Sequence, residues 1–193
     1  PSMPANTLAD LVTLLRAQPG KFNYATSGVG TSLHVGGEMV NQLGRVNMVH
    51  VPYKVGAQIV TDLMGDQIDL AMLPIPLISE QVRTGKVKAY GVTEPRRSPA
   101  LPDVPTMAEH PDLKGVDVTV WFGIFAPAKT DQAIVQRLNR ELQEITKDAE
   151  IRQKFATFGM RTLGLGPADF AKFLTGEQTK FAAIVKAGNI RAE

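Results

Sequence analysis

Between Asn23 and Val40 the chain reads NYATSGVGTSLHVGGEMV. The hydroxyl residues Ser27, Thr31 and Ser32 surround Gly28 and Gly30, and His34 follows about one turn into the predicted helix. A hydroxyl near an imidazole is the starting material of nucleophilic catalysis. Glycines in front of a helix are the starting material of an anion site, because amides can turn toward a ligand and first-turn N–H groups have no intrahelical acceptor. The catalytic signatures fail in turn. The dinucleotide fingerprint and the phosphate P-loop both need glycine at position 33, where the chain has Leu33. A nucleophile elbow around Ser27 needs glycines where Ala25 and Val29 stand. Two readings are left: a loop that grips an anion such as a carboxylate, or a tight turn with an N-cap and no ligand.

A second loop is similar in kind. VPYKVGAQ also leaves a strand and opens a helix, offering Val55, Gly56 and the amides of Ala57 and Gln58. A third strand end, AMLPIP, offers Met72, Leu73 and two prolines without charge. Ligands of α/β sheets collect at the carboxyl ends of strands, so these loops are expected to face one crevice. His34, His50 and His110 have no metal-binding spacing, and His34 is expected to anchor the first loop by a hydrogen bond. Asp62, Asp66 and Asp69 read as a polar helix end and turn, and Trp121 as core or hinge packing.

The surrounding elements must position these loops. Asn6 or Thr7 caps a helix with Leu8, Leu11, Val12 and Leu15 on one face. Strands are expected at 22–26, 46–51, 67–73 and 87–93. Helices alternate with them at about 31–43, with Leu33, Met39, Val40 and Leu43 inward and Gly44 at its end, then at 57–64 and 77–84. This alternation predicts a parallel sheet covered on both faces. Residues 94–115 hold five prolines and read as an ordered surface-wrapping connection. A long apolar strand is expected within 116–128. Helices follow at 132–147, capped by Thr130 or Asp131, at 149–158 and at 168–187, with a short strand near 160–164. The last helix is expected to turn Phe170, Phe173, Leu174, Phe181, Ile184 and Val185 inward. The part after about residue 118 is too poor in strands to complete a sheet of its own. It either packs on the first sheet or pairs with strands outside this sequence.

The 193 residues suit one large domain or two small ones. With a net charge of +2 and 6% aromatic residues, which do not interleave with basic ones, nucleic-acid binding is not expected. The one basic cluster, Lys86, Lys88, Arg96 and Arg97, reads as a solvated face. The absence of cysteine excludes disulfides, thiolate metal sites and a cysteine nucleophile. No apolar run is long enough to span a membrane. The opening PSMPANTLADLV reads as the middle of a protein.

Seven motifs then occur in order: NYATSGVGTSLHVGGEM, VHVPYK, DLMGDQIDL, TGKVKAYGVT, RRSPALPDVPTMAE, WFGIFAPAKT and FGMRTLG. The ordered set resembles the tripartite tricarboxylate transporter substrate-binding proteins, the Bug family, over nearly the whole chain. The resemblance implies a periplasmic binding protein fold of type II, with two α/β lobes. It also implies a periplasmic receptor that binds small carboxylates (di- and tricarboxylic, acidic or aromatic acids) and hands them to membrane permease subunits, with no reaction and no cofactor. The family's binding positions match at the Ser27–Ser32 loop and the turn around Lys54–Ala57. The family also carries βα units before the position where this chain starts, including a loop that holds a carboxylate through ordered water. The expectation is therefore a complete lobe two at residues 1–118 and an incomplete remainder of lobe one at 119–193, joined by a hinge strand near Trp121–Pro127. Exposed apolar surface on that remainder is expected to favour self-association. Two further departures touch the site: Val55 stands where the family usually has glycine, and MLP stands for a strand end often written FDN, so Leu73 replaces an acid that some relatives turn to a ligand amine. The alternative is a small α/β hydrolase or transferase using Ser27 or Thr31 with His34.

Overall fold

A computed structural model describes residues 2–157, 159–188 and 190. In chain order the elements are α1 (Leu8–Ala17), β1 (Asn23–Thr26), α2 (Ser32–Gly44), β2 (Val49–Pro52), α3 (Gly56–Met64), β3 (Leu70–Ala71), α4 (Ile75–Arg83), α5 (Gln132–Lys147), α6 (Ala149–Thr157) and α7 (Pro167–Ala187). Thr7 is the residue that caps α1. Its hydroxyl accepts the Asp10 amide, and the Asp10 carboxylate accepts the Thr7 amide in return. Leu8, Leu11, Val12 and Leu15 are buried, which the spacing of one helical face requires.

The strands form one parallel sheet in the order β2-β1-β3. Thr26 lies opposite Pro52, and Ala25 opposite Ala71. Past the strand ends the Tyr53 amide still donates to the Thr26 carbonyl, and the Met72 amide to the Ala25 carbonyl, both at 2.9 Å. All three chains therefore leave the sheet at the same edge. Tyr24, Ala25 and Thr26 of the central strand are almost fully buried. Below them Ala25, Ile59 and Ile68 form an apolar cluster, with Tyr53, Leu63, Ala71 and Leu73 packed against it.

The helices follow the sequence pattern more closely than the strands do. α5 spans Gln132–Lys147 as expected, with the Asp131 carboxylate capping the Ala133 amide at 2.7 Å. The expected strand at 46–51 is shifted to 49–52, and the one at 67–73 shrinks to Leu70–Ala71. Residues 87–93 form no strand; they contribute one parallel bridge, Val92 to Thr106. No strand forms within 116–128 or 160–164. The apolar residues of 116–118 serve burial instead: Val116 and Val118 are buried, and Thr93 and Val118 exchange two hydrogen bonds. Leu43, expected inward, is 40% exposed. Helix α2 includes Gly44, and the left-handed cap falls on Arg45 at φ 51°. All four residues of the basic cluster are exposed, and two of them are also tied to neighbours. Lys88 donates to the carbonyls of Met3 and Ala5 and to the Asn6 side chain, and Arg97 pairs with Glu109. The proline-rich connection is ordered, with Leu101, Val104, Met107 and Leu113 buried.

The chain divides into two compact units, one reaching residue 120 and taking in the chain from 183 onward, the other covering 121–182. In the second unit Trp121 meets Phe170 and Phe173 edge-on, at centroid distances of 5.9 and 5.4 Å, and its indole N–H donates to Glu177. Neither α5 nor α6 has a buried residue, and Phe122 and Ile124 are 79% and 70% exposed. Of the residues expected inward on α7, Ile184, which belongs to the first unit, is the buried one, and the others are half-buried. Phe158, the expected end of α6, lies outside the described residues.

Candidate functional site

The glycine loop 27–31 runs from the end of β1 to the start of α2. Gly28 and Gly30 have φ of 128° and 76°, conformations that side-chain-bearing residues avoid. The Thr31 hydroxyl donates to the Gly28 carbonyl at 2.8 Å and accepts the His34 amide at 3.3 Å. It is thus the N-cap of α2 and a tie across the loop. His34 Nδ1 accepts the Gly30 amide at 3.1 Å, so His34 does anchor the loop. With these commitments Thr31 and Gly30 act as the frame. Of the loop's other hydroxyl residues, Ser27 is exposed and Ser32 half-buried. The Ser32 and Leu33 amides sit in the first turn, where α2 supplies no acceptor.

The second loop starts α3. Val55 is its N-cap, without a capping side chain, and is 56% exposed. The amides of Gly56 and Ala57 are therefore left open at a helix N-terminus, while the Gln58 amide turns back to the Val55 carbonyl. Lys54 is exposed beside them. Tyr53 holds this loop from below: its hydroxyl donates to Asp62 on α3 at 2.8 Å. In the third loop Leu73 is half-buried and packs on the cluster of Ala25, Ile59 and Ile68. The sheet register brings the Ser27–Ser32 loop and the Val55–Ala57 loop off adjacent strands at one edge, with Leu73 following the strand on the other side of β1.

Residues that sequence reading did not connect lie beneath the glycine loop. The imidazoles of His34 and His50 stack at 3.8 Å between centroids, 10° from parallel. His50 Nε2 is 2.7 Å from the Thr26 hydroxyl, which in turn meets the Gly28 amide and carbonyl. The Tyr24 hydroxyl donates to Glu38 at 2.7 Å, and the Asn41 amide donates to the same carboxylate oxygen. Burial, and then Glu38, push the Tyr24 phenol up. Burial pulls both imidazoles down, His50 to about 4 with the neighbouring His34 adding to the effect, while Glu38 opposes it at His34. The sequence carries no signal for this cluster, which depends on the parallel register that sets Tyr24 against His50.

The other singled-out residues have local roles. The Asp69 carboxylate accepts the Asn23 amide at 2.9 Å, and Asp66 accepts the Ser2 hydroxyl. His110 Nδ1 accepts the Asp112 amide at a short 3-10 turn. Among the described residues no group of three or more His, Asp or Glu side chains could hold a metal ion. No helix among them is long and apolar enough to cross a membrane.

Similarity to known proteins agrees with this architecture. Residues 1–190 match the family described as the tripartite tricarboxylate transporter family receptor. A protein from the tcbD-tcbE intergenic region of Pseudomonas sp. (strain P51) is 31% identical over 187 residues, which are 95% of this chain and 56% of that protein. The structure of R. palustris Rpa4515 with adipate superposes with a TM-score of 0.85 at 26% identity, over 98% of this chain and 63% of that one. MatC (Rpa3494) from Rhodopseudomonas palustris with bound malate gives 0.76 at 26% identity, over 94% and 63%. The chain thus spans between 56% and 63% of the length of these relatives. On the family match and the shared α/β fold, the chain belongs to the tripartite tricarboxylate transporter receptor family, the family of the Bug proteins.

Proposed function

We propose that this chain is the ligand-gripping part of a periplasmic receptor for small carboxylates, which serves the membrane permease of a tripartite tricarboxylate transporter and performs no reaction. The observation that carries the reading is the pairing of two amide-rich loops at one sheet edge. The α3 N-terminus presents Gly56 and Ala57 amides with no capping side chain, and the neighbouring loop presents Ser27, Ser32 and the first-turn amides of α2. Such an arrangement suits an anion held by amides and hydroxyls, with Lys54 exposed beside the second loop. Each well-placed charge-assisted hydrogen bond contributes roughly 1.5–3 kcal/mol. The adipate and malate in the two similar structures are small carboxylates.

In this reading residues 1–118 are the second lobe and 119–193 the return part of the first. Val55 narrows the entrance relative to a glycine. Leu73 offers no acid to a ligand amine, which favours simple di- and tricarboxylates over amino acids. Titration calorimetry with adipate, malate, citrate, glutamate and nicotinate tests it. Saturable binding of at least one carboxylate, weakened in Ser27→Ala, is the expected result. Heats no larger than dilution for every acid would overturn it for this chain.

A further inference from the structure

The stacked pair His34 and His50 lies directly under the loop that the proposed function assigns to the ligand. We infer that these two histidines are positioning residues: in their neutral form they hold the glycine loop in its binding shape, and protonation of His34 releases it. The inference rests on the reading of that loop as an anion grip, and it adds how the grip is set and what unsets it.

The geometry defines the protons. His34 Nδ1 accepts the Gly30 amide, so that nitrogen carries no hydrogen and the ring is the Nε2–H tautomer. The Thr26 hydroxyl has one hydrogen and two lone pairs. It lies 2.7 Å from His50 Nε2, 3.3 Å from the Gly28 nitrogen and 3.2 Å from the Gly28 oxygen. All three contacts are satisfied together only if His50 donates from Nε2, Thr26 accepts that hydrogen and the Gly28 N–H, and Thr26 donates to the Gly28 carbonyl. Both glycines that shape the loop are thereby bonded to the histidine pair, Gly30 directly and Gly28 through Thr26.

A proton added to His34 goes to Nδ1. That atom then faces the Gly30 N–H as donor against donor, and the bond is lost. A proton added to His50 makes two cations face each other across 3.8 Å if His34 is also charged. The titratable groups facing the pair are Glu38 from α2 and the Tyr24 phenol from β1, whose ring centroid lies 6.5 Å from His34 and 5.1 Å from His50. Glu38 favours the cation at His34, so the first proton goes there, on the atom that holds Gly30. Burial keeps both rings neutral to below the ordinary histidine range, so the loop is held at neutral pH and released only as His34 takes up its proton below that range.

The test is ¹H–¹⁵N NMR of the full chain between about pH 7.5 and pH 4.5, following the Gly30 and Gly28 amides and the histidine ring nitrogens, with adipate and malate affinity measured at both ends. The Gly30 amide should move with the midpoint of the His34 ring. In His34→Asn the side-chain oxygen takes the place of Nδ1 as a non-titrating acceptor. That variant should keep the neutral-pH position of the Gly30 amide and lose its pH dependence. It also carries the ligand's own titration, so it is the reference against which wild-type affinity should fall at least several-fold further in acid. A Gly30 amide that stays still across the range overturns the inference, whether the His34 ring remains neutral or titrates without it. So does an unchanged Gly30 profile in His34→Asn. Equal acid sensitivity of ligand binding in both proteins overturns it and leaves the receptor reading standing. A Gly30 amide that tracks His34 in a protein binding neither acid at either pH upholds control of the loop by the pair and refutes the carboxylate reading instead.

Discussion

The ring of Tyr24 on β1 occupies the space that a side chain on Gly37 of α2 would need; a Cβ at position 37 would overlap the ring edge. This contact is what lets α2 lie close over the central strand while the Tyr24 hydroxyl reaches Glu38 one residue further along the helix. It fixes the helix whose first turn forms the candidate site.

Replacing Gly37 by alanine therefore sets two effects against each other. Alanine favours an exposed helix interior by about 1 kcal/mol over glycine. Overpacking a buried contact costs roughly 1–3 kcal/mol. With ring atoms as the obstacle, overpacking wins, and Gly37→Ala should lower stability by about 1–2 kcal/mol in urea unfolding. Gly176→Ala on α7, where nothing lies within 4 Å of the new methyl, should be neutral or slightly stabilising. Equal behaviour of the two variants would contradict the described packing.

Thr31 should act through its hydroxyl and not its methyl. Thr31→Ala removes the α2 cap and the tie to Gly28, costing about 1 kcal/mol of stability and weakening any carboxylate bound by the loop. Thr31→Ser should restore both. A serine variant as impaired as alanine in calorimetry and thermal unfolding would count against the cap.

Acid should weaken the fold in two separate windows. The folded His50 titrates at about 4 and His34 below its ordinary 6.5, so between those values the unfolded chain binds more protons. Their contribution is complete above about 6.5 and declines as pH falls toward 4. Glu109, held down to about 2 by Arg97 and the Thr106 amide, contributes fully above its ordinary 4.5 and loses that contribution below it. Urea unfolding of Glu109→Gln across pH should flatten the lower window and leave the upper one in place. Stability that rises on acidification from 6.5 to 4 would contradict the burial of neutral histidines.

Phe122 and Ile124 offer exposed apolar surface in the second unit. The expected consequence is concentration-dependent self-association, visible in light scattering and reduced in the double variant Phe122→Ser, Ile124→Ser. A monomer at every concentration would rule this out.

Much of this was legible in the sequence because helix signals are local. The spacing of Leu8, Leu11, Val12 and Leu15 and the Asp131 cap act within a turn or two of the residues they organise. Strands depend on partners that the sequence does not name. Residues 87–93 and 116–128 are apolar enough for strands, yet form no ladder beyond the single Val92–Thr106 bridge, because burial and ladder formation are different requirements. The glycine loop was visible for the same local reason as the helices. The histidine pair beneath it was not, since His34 and His50 meet only through the register of β1 and β2.

The central claim is that amides of the two loops hold a carboxylate, and amide chemical shifts test it most directly. Titrating the ¹⁵N-labelled chain with adipate or malate should move the amides of Ser32, Leu33, Gly56 and Ala57 together, on one saturable curve. Saturable binding that leaves those four amides unmoved while shifting others would contradict the account, as would the absence of any shift with either acid.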